Sequence, residues 1–317
     1  MTLRKPIENP VISIIVPVYN EEKSILPFLS EVLPLIESLD HTFEILFIND
    51  GSTDKSKDIL IQEAKKNPIV KLLNFSRNFG KEAALTAGID YASGDALIPI
   101  DVDLQDPPEL IPTLIKHWQD GYDVVYGLRV SRDSDSVFKR TSANLFYKIF
   151  NRLSPLKIPS DAGDFRLIDR RVAEVLKNIP ERNRFMKGLF SWVGFKSIPV
   201  PYERPVRKSG KTKWSTWRLW NFALDGILSF STLPLRIWTY IGIFIAIFSF
   251  LYGSFIVLRT LIFGVDLPGY ASMLTVILFL GGIQLVSVGI IGEYIGRVFI
   301  ESKNRPLYVI ESRYPPH

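Results

Sequence analysis

The run Ile98–Leu110, IPIDVDLQDPPEL, sets Asp101, Asp103 and Asp106 directly behind an apolar stretch. Carboxylates are hard oxygen donors, and Mg2+ or Mn2+ takes one or two of them together with phosphate oxygens. Side chains alternate along an extended chain, so Asp101 and Asp103 project to one side and Val102 to the other. One carboxylate can then meet a metal on a diphosphate while the other reaches a sugar or ribose. Asp-x-Asp alone is common in surface turns; its place behind ALIPI is what raises it. Asp106, with Pro107 and Pro108 after it, reads instead as a helix N-cap, because proline is tolerated in the first helical turn.

Other chemistries find little support. The chain has no cysteine, which excludes disulfides and thiolate metal sites. His41, His117 and His317 are too scattered to build an imidazole metal site or a Ser/His/Asp constellation. SGKT at 209–212 resembles the tail of a P-loop, but Pro205 stands where the upstream glycine is required, and no G-x-G-x-x-G occurs. The formal net charge is +5 and the pI about 9.2. That bias suits a phosphate-rich ligand or an anionic lipid surface without choosing between them.

The elements that must position these residues are short and β-rich up to about residue 205. VISIIVPVY (11–19), FEILFIND (43–50), VKLLNF (70–75), ALIPID (96–101) and DVVYGLR (123–129) read as strands bounded by turn residues. SILPFLSEVLPLIESL and KSKDILIQEAKKN between them read as helices with one apolar face. Such alternation predicts an α/β fold with a mostly parallel sheet covered on both faces. Ligands of such sheets bind beyond the carboxyl ends of the strands, so Asn20, Asp50, Asp101 and Arg129 are expected at one rim. Taken singly, each also fits a turn or cap role, as Asp50 in N-D-G-S and Asp54 as a helix cap illustrate.

Beyond residue 230 the composition changes, in keeping with a mean hydropathy of +0.14 for the chain. Ile237–Leu258 and Leu267–Gly292 carry no charge, and each exceeds the roughly 20 residues that cross a bilayer core. Basic residues flank the pair (Lys211, Lys213, Arg218 and Arg236 before; Arg297, Lys303 and Arg305 after), which predicts a hairpin with both ends in the cytoplasm. WSTWRLWNFALDGILSF (214–230) reads as an interfacial amphipathic helix, with a core helix as the alternative. Gly292 and Gly296 form a small-xxx-small pair suited to close helix packing. Glu293 is expected to snorkel to the interface rather than face the site. MTLRKPIENP has no long apolar core, so no signal peptide is expected, and the part before the first span is expected in the cytoplasm. The expected organisation is a catalytic domain at 1–210, a juxtamembrane helix at 211–235, a transmembrane hairpin at 236–298 and a cytoplasmic tail at 299–317.

Together VPVYNEE (16–22), NDGSTD (49–54), SRNFGKEAAL (76–85), DVDLQDPPEL (101–110), GDFRLIDR (163–170) and RFMKGLFSWVG (184–194) resemble the family-2 inverting glycosyltransferases of GT-A fold. Within that family the chain is similar to the polyisoprenyl-phosphate glycosyltransferases, the dolichol-phosphate-mannose-synthase-like group, and most to the bacterial GtrB type with two C-terminal spans. The likeness extends to GVDLPGYAS and GEYIGRV. It implies transfer of a hexose, foremost glucose from UDP-glucose, to undecaprenyl or a similar polyprenyl phosphate at the cytoplasmic membrane face. UDP-N-acetylglucosamine, GDP-mannose and UDP-linked modified arabinose are alternative donors, and a catalytically silent membrane scaffold is the alternative from another class. Mg2+ or Mn2+ is the implied cofactor and a homo-oligomer the implied assembly; no nucleic-acid partner is expected. Carried onto this chain, the resemblance gives Pro17, Tyr19, Glu21 and Asp50 to the nucleotide. It makes Asp101 and Asp103 the metal-binding pair, Asp103 the likelier direct ligand, with Gln105 beside the diphosphate. Asp164 falls near the acceptor, and Arg207 and Lys213 of RKSGKTKW at phosphate. Val102 stands where many relatives have alanine. Arg129 and Arg166 are further acceptor-phosphate candidates or structural ion-pair partners. A lipid phosphate is already mostly ionised at neutral pH, its second pKa being about 6, so Asp164 is expected to position the acceptor or a cation rather than act as a base.

Overall fold

The computed structural model describes residues 8–130, 162–182, 184–203, 233–264 and 269–315. Eight strands among them form one sheet in the order β7-β5-β6-β4-β1-β2-β3-β8. β1 (Val11–Val18), β2 (Thr42–Asn49), β3 (Val70–Phe75), β4 (Ala96–Pro99) and β5 (Val124–Arg129) match the five expected strands closely. The centre, β4-β1-β2-β3, is parallel throughout. β6 (Ala162–Asp169) enters antiparallel between β4 and β5, and β7 (Ser197–Tyr202) runs parallel to β5. The sheet is mostly parallel, as the alternation of strands and helices predicted.

Both faces are covered because successive side chains leave each central strand in opposite directions. Ile12, Ile14, Val16 and Val18 of β1 pack with α1 (Ile25–Glu37), α2 (Ser56–Lys66) and α4 (Ile111–Gln119). Ile15 joins Leu46, Ile48 and Leu73 beneath α3 (Lys81–Tyr91), α5 (Arg170–Lys177) and α6 (Met186–Trp192). α3 lies so close to β1 that a Cβ on Gly88 would sit 2.2 Å from Ile15 Cγ2.

α7 (Leu233–Phe263) and α8 (Tyr270–Ser302) have 31 and 33 residues, about 45–50 Å each at 1.5 Å per residue. Their most apolar segments, Tyr240–Phe263 and Phe279–Ser302, contain no buried residue among those described. Core helices of a globular domain of this length and hydropathy would be mostly buried, and these are not. Glu293 pairs with Arg297 at 3.6 Å along α8. Among the described residues a Cβ at Gly292 or Gly296 meets nothing within 4 Å. Residues 204–232, with the expected amphipathic helix, lie outside the described residues.

The segment 299–317, expected as a separate tail, is corrected. Ile310–Tyr314 forms β8, antiparallel to β3 at the sheet edge. Tyr308 stacks on Phe75 with ring centroids 5.1 Å apart and donates to Asp90 at 2.7 Å, while Asn74 donates to Ser312 at 3.0 Å. The chain returns from the hairpin to complete the sheet because β3 otherwise exposes a row of unpaired backbone groups.

Candidate active site

β1, β2 and β4 run parallel, and two antiparallel steps through β6 make β5 parallel to them. The carboxyl ends of these strands and the start of β6 therefore share one rim. Asn20, Asp50, Asp101, Arg129 and Asp164 all come from that rim.

Near β1 and β2, short polar contacts tie the two strand ends together. Asn20 Oδ1 accepts the Thr53 N–H at 2.7 Å, and the Asn20 N–H donates to Ser52 Oγ at 3.0 Å. Glu21 accepts from the Ser24 hydroxyl at 2.8 Å. Tyr19 is 39% exposed, and Pro17, two residues before it, lies partly buried. Asp50 is buried, and its two oxygens accept the Phe79 and Gly80 N–H groups at 2.7 and 2.9 Å. Burial pushes its pKa up against the pull of those two bonds. Asp50 is thus more than a turn residue: it anchors the start of α3. Gly51 beside it has φ +63°, and a Cβ there would lie 2.3 Å from the Arg77 backbone carbon, so N-D-G-S needs its glycine twice over. Asp54 accepts the Ser56 N–H at 3.0 Å, a cap-like contact at the head of α2.

At β4 the chain leaves the sheet through Ile100 and Asp101 into a tight turn. Leu104 takes φ 55° with its side chain buried, and Asp103 Oδ1 accepts the Gln105 N–H at 3.2 Å. A left-handed leucine is uncommon; burial holds it there, so Asp103 and Gln105 stay at the rim. Asp101 Oδ1 lies 2.7 Å from Lys81 Nζ, and Asp164 Oδ2 lies 2.8 Å from the same ammonium. Burial raises the Asp164 pKa, but the Lys81 and Lys187 ammoniums and the Arg166 guanidinium outweigh it, and Asp164 is held well below the usual carboxylate range. Glu82, next along α3, is pushed up to about 7 by burial and by Asp164, against a bond from the Met186 N–H at 3.1 Å. Arg166 is buried, donates to the Gly163 carbonyl at 2.6 Å and lies 4.0 Å over the Phe190 ring.

Asp106 corrects its expected role. Pro107 holds the cap position of the 3-10 turn Pro108–Leu110, while buried Asp106 accepts from the Tyr202 hydroxyl at 2.6 Å. Arg129 donates to that hydroxyl at 3.2 Å and sits 3.8 Å from Asp106. Burial and Asp106 lift the Tyr202 pKa to about 12, so the phenol stays protonated as a donor. Arg129 therefore has the structural partners that were one of its two expected roles, and keeps a quarter of its side chain exposed. Arg207 and Lys213 lie outside the described residues.

Sequence reasoning gave no role to Lys81, Glu82, Lys187 or Tyr202. Lys81 and Lys187 stand inside quoted motifs, FGKEAAL and FMKGLF, but only the packing of α3 and α6 against β6 brings them to Asp164. The carboxylates at the end of β4 fit a hard divalent cation that shares its shell with phosphate. Asp101 and Asp103 supply two carboxylates, and no cluster of three or more His, Asp or Glu forms a self-sufficient cage among the described residues.

Comparison with known proteins places this geometry in a family. Residues 13–176 match Glycosyl transferase family 2, and residues 233–298 match the GtrB C-terminal hairpin. An uncharacterized glycosyltransferase of Synechocystis sp. is 53% identical over 299 residues, 94% of either chain. A bactoprenol glucosyl transferase of Shigella phage SfV is 54% identical over 301 residues, 95% of this chain and 98% of that one. Glucosyl-3-phosphoglycerate synthase from Mycobacterium tuberculosis aligns with a TM-score of 0.46 at 18% identity, covering 69% of this chain and 78% of that one. With a family match across the sheet that carries the rim and relatives alike from end to end, this chain belongs to glycosyl transferase family 2.

Proposed function

We propose that this protein transfers glucose from UDP-glucose to a polyprenyl phosphate at the cytoplasmic face of a membrane, inverting the anomeric centre with the help of Mg2+ or Mn2+. One observation carries the reading: likeness to a bactoprenol glucosyl transferase runs through the rim and the hairpin alike, over 95% of this chain. The division into a catalytic unit, a juxtamembrane helix at 211–235 and a hairpin at 236–298 belongs to the same proposal, with β8 added to the catalytic unit.

Pro17, Tyr19 and Glu21, with Asp50 behind them, face the nucleotide; Asp101, Asp103 and Gln105 face its diphosphate. Asp101 and Asp103 would hold a divalent cation, which would supply positive charge at the leaving diphosphate, where negative charge grows in the transition state. Arg129, Arg166, Arg207 and Lys213 serve the acceptor phosphate, whose oxygen displaces the nucleoside diphosphate from the anomeric carbon. Support for a positioning role of Asp164 comes from the cations around it, which keep it ionised and make it a weak proton acceptor at neutral pH. The unburied apolar helices α7 and α8 support attachment to a membrane, where a lipid phosphate resides.

The test is transfer of radiolabelled glucose from UDP-glucose into an organic-extractable lipid by the purified full chain with polyprenyl phosphate and Mg2+ or Mn2+. The expected result is a labelled lipid that EDTA abolishes. No lipid-linked sugar from UDP-glucose, UDP-N-acetylglucosamine, GDP-mannose or UDP-linked modified arabinose overturns the reading.

A further inference from the structure

Lys81 is contributed by an element separate from the two carboxylates it joins. Asp101 follows β4 and Asp164 opens β6, antiparallel neighbours in the sheet. Lys81 begins α3, whose entry is pinned by Asp50 through the Phe79 and Gly80 N–H groups. Its ammonium lies 2.7 Å from Asp101 Oδ1, 2.9 Å from Asp101 Oδ2 and 2.8 Å from Asp164 Oδ2. About a third of the side chain is exposed, so the bridge faces the open rim.

We propose that Lys81 is a positioning residue for the transfer reaction: its ammonium fixes the spacing between the donor-side carboxylate Asp101 and the acceptor-side carboxylate Asp164. The inference rests on the proposed roles of those two aspartates. Two carboxylates facing each other repel, and both repel the phosphates that must gather between them. A fixed ammonium between them offsets that repulsion without reorganising during the reaction. Asp101 is also shared between Lys81 and any cation that binds the Asp101–Asp103 pair. Lys81 thereby weakens cation binding to the nucleotide-free protein, whereas a diphosphate brings enough negative charge to hold both cations.

Lys81→Met tests this by two independent readouts. Mn2+ titration of the nucleotide-free full chain, followed by electron paramagnetic resonance, is expected to show affinity rising about 10-fold when the nearby positive charge is removed. In the transfer assay kcat is expected to fall about 100-fold while KM for UDP-glucose moves less than about 3-fold, with part of kcat restored by Lys81→Arg. Lys81→Gln replaces the methionine variant if that variant does not fold. Unchanged Mn2+ affinity overturns the bridge, and kcat within about 3-fold of the parent overturns the positioning role. Should the parent protein prove inactive with every nucleotide sugar, the glucosyl-transfer reading fails, while the Mn2+ titration still decides the bridge.

Discussion

At the residue scale the rim is a problem of charge. Asp101, Asp103, Asp164 and Glu82 come to the rim at which the proposed reaction would bring diphosphate and lipid phosphate together, and Lys81, Lys187, Arg166 and Arg129 are the counterweight. The consequence for Asp164 is specific. Its ionised form is stabilised by Lys81, Lys187 and Arg166 against the cost of burial, so it is already a carboxylate throughout the physiological range. Asp164→Asn is accordingly expected to lower kcat about 100-fold by a factor that stays flat from about pH 6 to pH 8.5, because no proton transfer is lost. Kinetics across that range check it; activity restored at high pH indicates instead that Asp164 removes a proton. A phosphate acceptor makes the flat profile reasonable, since its second pKa is about 6 and it needs little deprotonation.

At the scale of elements, the opposite end of the sheet is held by a polar clamp. Buried Glu44 on β2 accepts from Ser13 of β1 at 2.5 Å, Lys71 of β3 at 2.5 Å, and the N–H and hydroxyl of Ser93 ahead of β4 at 2.6 and 2.7 Å. Burial alone raises its pKa; Lys71, Ser13 and Ser93 overcome that and bring it from 4.5 to about 2. A folded-state pKa below the unfolded one stabilises the fold fully above the unfolded value, and the gain disappears as pH falls through the window from about 4.5 to about 2. The shift corresponds to a contribution on the order of 3 kcal/mol at neutral pH. Glu44→Gln is expected to lower stability at pH 7 and to flatten the pH dependence in that window, read by denaturant unfolding at stepped pH. Kinetic constants at pH 7 should stay near those of the parent, since the clamp lies at the end of the strands away from the rim.

For the molecule as a whole, the important fact is that the catalytic sheet includes chain from both sides of the hairpin. β7 precedes α7 and β8 follows α8, yet both belong to one sheet. Any membrane crossed by the hairpin therefore has both hairpin ends on the side of the catalytic unit, which supports the topology argued from the basic flanks. It also makes the C-terminal segment a structural part of the enzyme. Lys57 and Glu311 pair at 2.6 Å, and Arg313 donates to the Tyr91 hydroxyl at 2.8 Å and lies 4.4 Å over its ring. Deleting residues 309–317 leaves the hairpin intact but uncovers β3. The expected outcome is a thermal midpoint about 5 °C lower in detergent and a greater tendency to aggregate through the exposed edge, measured by thermal unfolding and size-exclusion chromatography.

The sequence by itself determined the architecture of the central sheet, the two long apolar helices and the residues that the strand ends carry to the rim. These are local properties: strand period, uninterrupted apolar length, and the rule that ligands of parallel sheets sit beyond carboxyl ends. β6 left a local trace too, in the alternation of Asp164, Phe165, Arg166 and Leu167, but its polar residues read first as a motif. Only the tertiary structure decided that β6 inserts between β4 and β5, that β8 returns from beyond the hairpin, that Asp106 serves Tyr202 and Arg129, and that Lys81 joins Asp101 to Asp164. Each is a contact between segments far apart in the chain, where neither periodicity nor turn chemistry specifies the partner. Charge pairing across that distance is chosen by which elements the core packs together.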